Sequence, residues 1–319
     1  MSVQHPTILV AGSLAFDRIM NFPGRFREHI IASKIHSINV SFNIDTFTES
    51  FGGTAGNIAY SLRLLGAKPV VWAPAGNDFE GYRWWLERHK INTRYIRIIQ
   101  KERTAAAYLI TDQDDNQITA FHPGALRAPN GKVPRVLLSQ TDFGIISPGS
   151  LADMKTLPGI FKKSHIRYAF DPGQAIPALS PATLKNGVSG AEIFFSNDYE
   201  LSLVLRAAHM TEHELLRRAK VAVTTLGPKG SVVRSGSARF RIPPAKPKNT
   251  SDPTGAGDAY RAGFLYGYLR GLSLDVCGKL GAVASVYTVE AYGTQTHSFT
   301  ASEFEGRYRK NFKNSISLK

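Results

Sequence analysis

Thr7-Ile8-Leu9-Val10-Ala11-Gly12-Ser13 is a short apolar run closed by small residues. Nothing polar interrupts Ile8 to Ala11, so both faces of the segment need cover. This is the pattern of a strand buried in a parallel sheet and ending in a loop. Similar runs recur at Pro69 to Ala73, Phe143 to Ile146, Tyr168 to Phe170, Glu192 to Phe195 and Val221 to Thr224. Most of the gaps between them are long enough for a crossover helix, which is the rhythm of an α/β chain. Helical segments are expected at Asn57 to Leu65, stopped by Gly66, at Phe79 to Lys90, at Thr211 to Lys220, and at Asp258 to Arg270, stopped by Gly271.

Two stretches break the rhythm. Residues 33–50 and 104–121 alternate polar and apolar side chains, the second around a turn at Asp112-Gln113-Asp114-Asp115-Asn116. Both read as antiparallel ribbons outside the main sheet. The expected organisation is a single domain over residues 1–319, with a small lid formed by inserted segments at about 19–50 and 103–122.

Of the 319 residues 43% are hydrophobic and 20% charged, a globular composition that excludes disorder, collagen-like repeats and coiled coil. The single cysteine, Cys277, excludes an intramolecular disulfide framework and a zinc site of several thiolates. No segment approaches the roughly 18 to 20 apolar residues of a membrane helix, and Met1 to Pro6 carry no basic stretch ahead of an apolar run. A soluble, cytoplasmic protein without a membrane partner is expected. The net charge of +14 suggests an anionic partner or a solvated basic surface. Its basic residues are scattered, as at Arg217, Arg218 and Lys220 or Arg307, Arg309 and Lys310, with no RNP-like aromatic pattern, paired Cys/His finger or long Lys/Arg block. Nucleic acid is therefore not the expected partner.

The strongest local signal is Asp252-Pro253-Thr254-Gly255-Ala256-Gly257-Asp258, followed by Ala259 to Leu265. A glycine-rich turn opening onto a helix offers unpaired backbone N–H groups and the positive end of the helix dipole to an anion. Asp258 falls in the first turn, beside that anion, although the dipole alone also favours a carboxylate there. There is no G-x-x-x-x-G-K-[ST], and Gly255-Ala256-Gly257 lacks the third glycine and adjoining strand of a dinucleotide fingerprint. A second signal is Phe51-Gly52-Gly53-Thr54-Ala55-Gly56-Asn57, whose glycines let a backbone approach a ligand and whose Asn57 starts a helix, either facing the ligand or as a plain cap. A third is Asn197-Asp198-Tyr199-Glu200, after an apolar run and so at the carboxyl end of a strand.

Three patterns invite other readings. His209 and His213 match H-x-x-E-H, but Thr211 and Glu214 form a capping box that starts the helix after His209, so the rings should not align on a metal. Gly263, Gly267 and Gly271 have membrane-dimer spacing, yet Asp258, Arg261 and Arg270 keep the segment out of a bilayer, and close packing on the sheet is expected instead. Phe79, Trp84 and Trp85 read as core.

Taken in order, these motifs resemble the ribokinase-like (PfkB) family of carbohydrate and nucleoside kinases over almost the whole chain. Gly52-Gly53 through Gly76-Asn77-Asp78 is similar to the family's first signature, and Asp252 through Phe264 to its second. Phe22-Pro23-Gly24-Arg25-Phe26, Ser41-Phe42, Phe121-His122-Pro123-Gly124-Ala125, Asn197 to Glu200 and Thr224-Thr225-Leu226-Gly227-Pro228-Lys229-Gly230 are most like the bacterial, mycobacterial-type adenosine kinases. The resemblance implies a three-layer fold with a mostly parallel sheet between helices, a β-sheet lid, and a homodimer formed through that lid.

By matching position it also implies that Asp17, Gly53 and Asn57 hold the ribose hydroxyls of adenosine, while Ser13, Ser41, Phe121 and Gln174 shape the rest of the pocket. Asn197, Thr225, Leu226, Gly227, Pro228, Lys229, Gly230 and Gly257 would contact ATP, and Glu200 would help organise Mg²⁺ through water. Asp258 would be the catalytic base, with Gly255, Ala256 and Gly257 as the anion hole. The chain departs from that type at Ala107, which replaces a lid phenylalanine, and at Ala175 and Ala178, which replace polar or charged pocket residues. A sugar kinase, a broad-specificity nucleoside kinase and a non-catalytic nucleotide- or nucleic-acid-binding protein are the alternatives.

Overall fold

The computed structural model describes residues 6–318 apart from Asp115; Met1 to His5, Asp115 of the expected turn and Lys319 of the basic tail lie outside the described residues. In chain order the strands are β1 (Thr7–Ala11), β2 (Ala15–Asn21), β3 (Thr46–Gly52), β4 (Lys68–Trp72), β5 (Pro74–Gly76), β6 (Arg97–Ile99) and β7 (Ala105–Thr111). They continue with β8 (Gln117–His122), β9 (Phe143–Ile146), β10 (Arg167–Phe170), β11 (Ile193–Asn197), β12 (Val221–Thr225), β13 (Ser231–Ser235) and β14 (Ala238–Ile242).

Eight of these strands form one sheet in the order β14-β13-β12-β11-β10-β9-β1-β4. Pairing is parallel from β4 through β12, and the β13–β14 hairpin closes one edge antiparallel. The opening run explains the layering. Ile8 and Val10 point into one hydrophobic core and Leu9 and Ala11 into the other, because successive side chains of a strand leave on opposite faces. Helices Thr54–Leu64, Ala256–Leu269 and Leu274–Val289 cover the first face. Helices Leu151–Lys163, Pro181–Val188 and Asp198–Ala207 cover the second. This is the ribokinase-like α/β architecture, in which the loops after β1, β9, β10, β11 and β12 open at one rim, where α/β sheets hold ligands.

A second, four-stranded sheet of order β3-β2-β7-β8 stands beside this rim. Its β7–β8 hairpin occupies the 104–121 stretch as expected. The 33–50 stretch differs, because Ala32–Ser37 is a 3₁₀ turn and only the part from Thr46 onward is strand. Val40, Phe42 and Ile44 are half-buried and Asn39, Ser41 and Asn43 exposed, but they pair with no strand among the described residues. Aromatic packing holds this segment instead, with the Phe42 ring 4.8 Å from Phe22 and 5.1 Å from Phe26.

Other expectations are corrected by packing. Gly263 and Gly267 face the helix Leu274–Val289, not the sheet: a Cβ at Gly263 would lie 2.6 Å from the Leu280 carbonyl oxygen. Trp84 is 58% exposed under Arg88, whereas Phe79 is buried and Trp85 partly so. The Thr211–Glu214 capping box does start the helix Glu212–Arg218 after His209. Among the described residues no helix is long and apolar enough to cross a membrane.

Candidate active site

Gly255 adopts φ +77° and caps the helix Ala256–Leu269, so the chain turns sharply at the rim of a cavity of about 900 Å³. Ala256, expected in the anion hole, does not line this cavity, because its N–H turns back to the Pro253 carbonyl at 3.1 Å. Asp252 braces this turn: its Oδ1 accepts from the Thr254 N–H at 2.8 Å and its Oδ2 from the Gly293 N–H at 3.1 Å. Gly255, Gly257 and Asp258 all line the cavity. Asp258 Oδ2 accepts a 2.9 Å hydrogen bond from Asn57 Nδ2. Burial is the main force on its carboxyl and pushes it up to about 7; Arg261 and Asn57 oppose the rise, and the Asp171 and Asp17 carboxylates add to it. A carboxylate near neutrality can both take and keep a proton, the property of a general base.

Asn57 does not start its helix. Gly53 is the cap, at φ +87°, the helix begins at Thr54, and Asn57 stands one turn in with its amide aimed at Asp258. A Cβ at Gly53 would lie 2.6 Å from the Ser13 carbonyl oxygen and 2.8 Å from the Ala15 nitrogen, so this crossing of two loops requires glycine. Ser13 is committed to the same junction, its Oγ accepting from the Thr54 N–H at 2.9 Å. Asp17 enters from β2, and burial pushes its carboxyl up to about 6 despite a hydrogen bond from Thr294. Gln174, Phe121, Ala107 and Ala175 complete this end of the cavity. Ser41 and Ala178 do not reach it; both are exposed and lie outside its lining.

At the other end, Asn197 and Glu200 line the cavity while forming a reciprocal capping box: Asn197 Oδ1 accepts from the Glu200 N–H and Glu200 Oε2 from the Asn197 N–H, each at 2.7 Å. The plain capping role is thus real and coexists with placement at the site. Thr225 and Gly227 also line it, and they continue into a second, largely apolar cavity of about 400 Å³ that includes Pro228, Gly230 and Ala256. Leu226 and Lys229 line neither cavity.

Residues 14–301 match the pfkB family of carbohydrate kinases. The chain belongs to this family. It is 30% identical over 312 residues to the nucleoside kinase of Methanocaldococcus jannaschii, covering 95% of this chain and 97% of that one. Burkholderia thailandensis nucleoside kinase, solved in complex with inosine, superposes with a TM-score of 0.83 at 32% identity, covering 97% of this chain and 99% of that one. The same protein in complex with ADP-inosine superposes with a TM-score of 0.83 at 33% identity over 97% of each chain.

The pfkB site also holds residues that the sequence alone did not single out. Arg261, three residues beyond Asp258 on the same helix, makes a buried two-point ion pair with Asp171, its Nη2 donating to Oδ1 at 3.1 Å and its Nε to Oδ2. It also donates from Nη1 to the Gly257 carbonyl at 3.0 Å. A signal did exist, since Asp171 directly follows the Tyr168–Phe170 run and so sits at a strand's carboxyl end. Thr294 and Gln295 carried none, because they belong to no element and meet the site only through folding. The wall of the second cavity from Pro244 to Thr250 was equally silent.

No group of three or more metal-ligating side chains occurs among the described residues. Mg²⁺ that arrives on nucleotide phosphates needs only one or two protein carboxylates, directly or through water. Glu200 is suited to that outer position, since its Oε2 is engaged by the Asn197 cap and Arg261 at 3.9 Å while Oε1 takes no part in these contacts.

Proposed function

We propose that the protein is a ribonucleoside kinase that moves the γ-phosphoryl group of ATP to the 5′-hydroxyl of adenosine and other ribonucleosides, giving the nucleoside monophosphate and ADP. The observation that carries this is the meeting of Asp258, held near neutrality, with Gly255, Gly257 and Asp17 in one cavity. The inosine complexes of the Burkholderia relative support a nucleoside acceptor over a free sugar. Ala107 and Ala175 leave the base end of the cavity wide, which favours a broad set of bases over adenosine alone.

In this mechanism Asp258 takes the proton of the 5′-hydroxyl as its oxygen forms a bond to the γ-phosphorus and the bond to the β,γ-bridging oxygen breaks. The Gly255 and Gly257 amides meet the charge on the transferring phosphoryl oxygens, at a helix N-terminus already polarised for an anion. Glu200 would hold Mg²⁺ through water, and the metal would neutralise phosphate charge. Asp17 accepts from the 2′- and 3′-hydroxyls, and Thr225 to Gly230 with the second cavity receive ATP.

The test is ATP consumption with adenosine, guanosine, inosine, cytidine, ribose and fructose. Turnover on several ribonucleosides is expected. Activity on ribose or fructose alone would mark a sugar kinase, and none on any would mark a non-catalytic nucleotide-binding protein. Removing the 2′-hydroxyl leaves Asp17 a buried acceptor without its partner, so deoxyadenosine should show a kcat/KM roughly 10- to 100-fold below that of adenosine. Equal values would remove Asp17 from this role.

The small sheet is proposed as a lid over the nucleoside and as the contact between two copies of the chain, in a cytoplasmic enzyme with neither membrane nor nucleic acid as partner. Ile31, Phe47 and Ile118 on and beside that sheet are 61%, 61% and 42% exposed, more apolar surface than a solitary sheet needs. A dimer mass in dilute solution is expected, and a monomer would overturn this part.

A further inference from the structure

Gln295 is 2% exposed, yet it sits at φ +59°, a left-handed conformation that a glutamine adopts at a cost. Its side chain lies behind the cavity lining, against Asn57 of the helix Thr54–Leu64 and Tyr82 of the helix Glu80–Arg88. Nε2 donates to Asn57 Oδ1 at 3.1 Å and to the hydroxyl of Tyr82. Tyr82 in turn donates to the Gly52 carbonyl at 2.8 Å. Gln295 Oε1 is buried with no hydrogen-bond partner among the described residues. Both backbone strain and an unmatched buried acceptor are kept at one residue, which suggests that its position serves the site.

The donor and acceptor roles along this chain run in one direction. The Gly52 carbonyl can only accept, so the Tyr82 hydrogen points to it and the Tyr82 oxygen must receive from Gln295. The amide of Gln295 therefore turns its NH₂ toward both neighbours, and Asn57 must meet it with its carbonyl. This leaves the Asn57 NH₂ directed at Asp258 Oδ2. Reversed, Asn57 would set an oxygen lone pair against the carboxylate.

We propose that Gln295 is a positioning residue for phosphoryl transfer, locking the Asn57 carboxamide so that it offers an N–H, and not a carbonyl, to the catalytic base. The inference rests on Asp258 acting as that base. The other groups facing Asp258 are Arg261 on its own helix, Asp171 after β10 and Asp17 on β2, none of which hydrogen-bonds Gln295. A change at Gln295 thus reaches the base through Asn57.

The experiment compares Gln295→Met with wild type in kcat, KM for adenosine and the acid limb of kcat/KM. A loss of roughly tenfold in kcat is expected, with the acid limb moved upward by about half a pH unit to one unit, because the ionised base loses an oriented donor. Gln295→Gly is the second variant. Glycine accepts φ +59° freely, so the backbone is relieved while the donor is lost. The same kinetic change in a folded Gln295→Gly protein supports the proposal, and an unmoved limb with full kcat overturns it. In an Asn57→Ala background the Gln295 substitution should have no further effect, whereas an undiminished effect there overturns transmission through Asn57. If Asp258→Asn itself retains turnover, the functional reading fails and this proposal with it. If Asp258→Asn is inactive while the Gln295 variants behave as wild type, only this proposal fails.

Discussion

Asp258→Asn is expected to lower kcat by roughly 10²- to 10⁴-fold while ATP and nucleoside still bind, since the change deletes the proton acceptor and little else. The carboxamide has nearly the shape of the carboxyl, and its Oδ1 can still accept the Asn57 hydrogen bond. With the wild-type carboxyl near 7, kcat/KM should fall as pH drops through that value and the base becomes protonated. The variant should lack this limb. Unfolding can be told apart from lost chemistry by a sign argument. The folded carboxyl sits at about 7 against an ordinary 3.8, so its contribution favours folding below about 3.8 and is lost as pH rises through 7. At pH 8 the wild type carries a buried charge that the amide does not, and the variant should melt no lower than wild type. Near wild-type turnover in Asp258→Asn would remove it as the base.

Arg261→Met carries the largest expected cost in stability. Arg261 and Asp171 are 7% and 2% exposed in their side chains, joined by two hydrogen bonds and closed off by the rings and helices around them. Deleting the cation leaves Asp171 as a buried carboxylate without its partner, which costs about 3–5 kcal/mol. A denaturant midpoint reads this directly. Pairing Arg261→Met with Asp171→Leu should recover much of the loss, because the charge needing compensation is gone as well. Equal midpoints for wild type and Arg261→Met would mean the pair contributes nothing. Activity should change too: Arg261 opposes the rise of the Asp258 carboxyl, so a folded Arg261→Met protein should have its acid limb moved to higher pH.

How far each feature could be read depended on the range of the interaction behind it. The strand runs and glycine stops were legible because burial on both faces and positive φ act within a few residues, and β1, β9 and β12 stand where their runs lie. The ribbon expected over 33–50 holds only from Thr46, where it pairs antiparallel with β2, and fails before it because alternation reports one buried face but not whether a partner strand is present; aromatic contacts from Phe22 and Phe26 take that place. Trp84 misled for a similar reason, since residue type alone does not say which side of a short helix meets the core.

The same division runs through the site. Asp252 to Asp258 and Gly52-Gly53 could be recognised because a sharp turn onto a helix N-terminus is a local device, complete within one stretch of chain. Asp171 with Arg261, and Gln295 with Asn57 and Tyr82, bring together residues up to 238 positions apart. Sequence by itself determined the alternating α/β architecture, the glycine-rich turn onto a helix and the position of the carboxylate in its first turn. Only the tertiary structure decided what surrounds that carboxylate and therefore its proton affinity, because desolvation and hydrogen-bond direction exist only once distant segments have closed on one another.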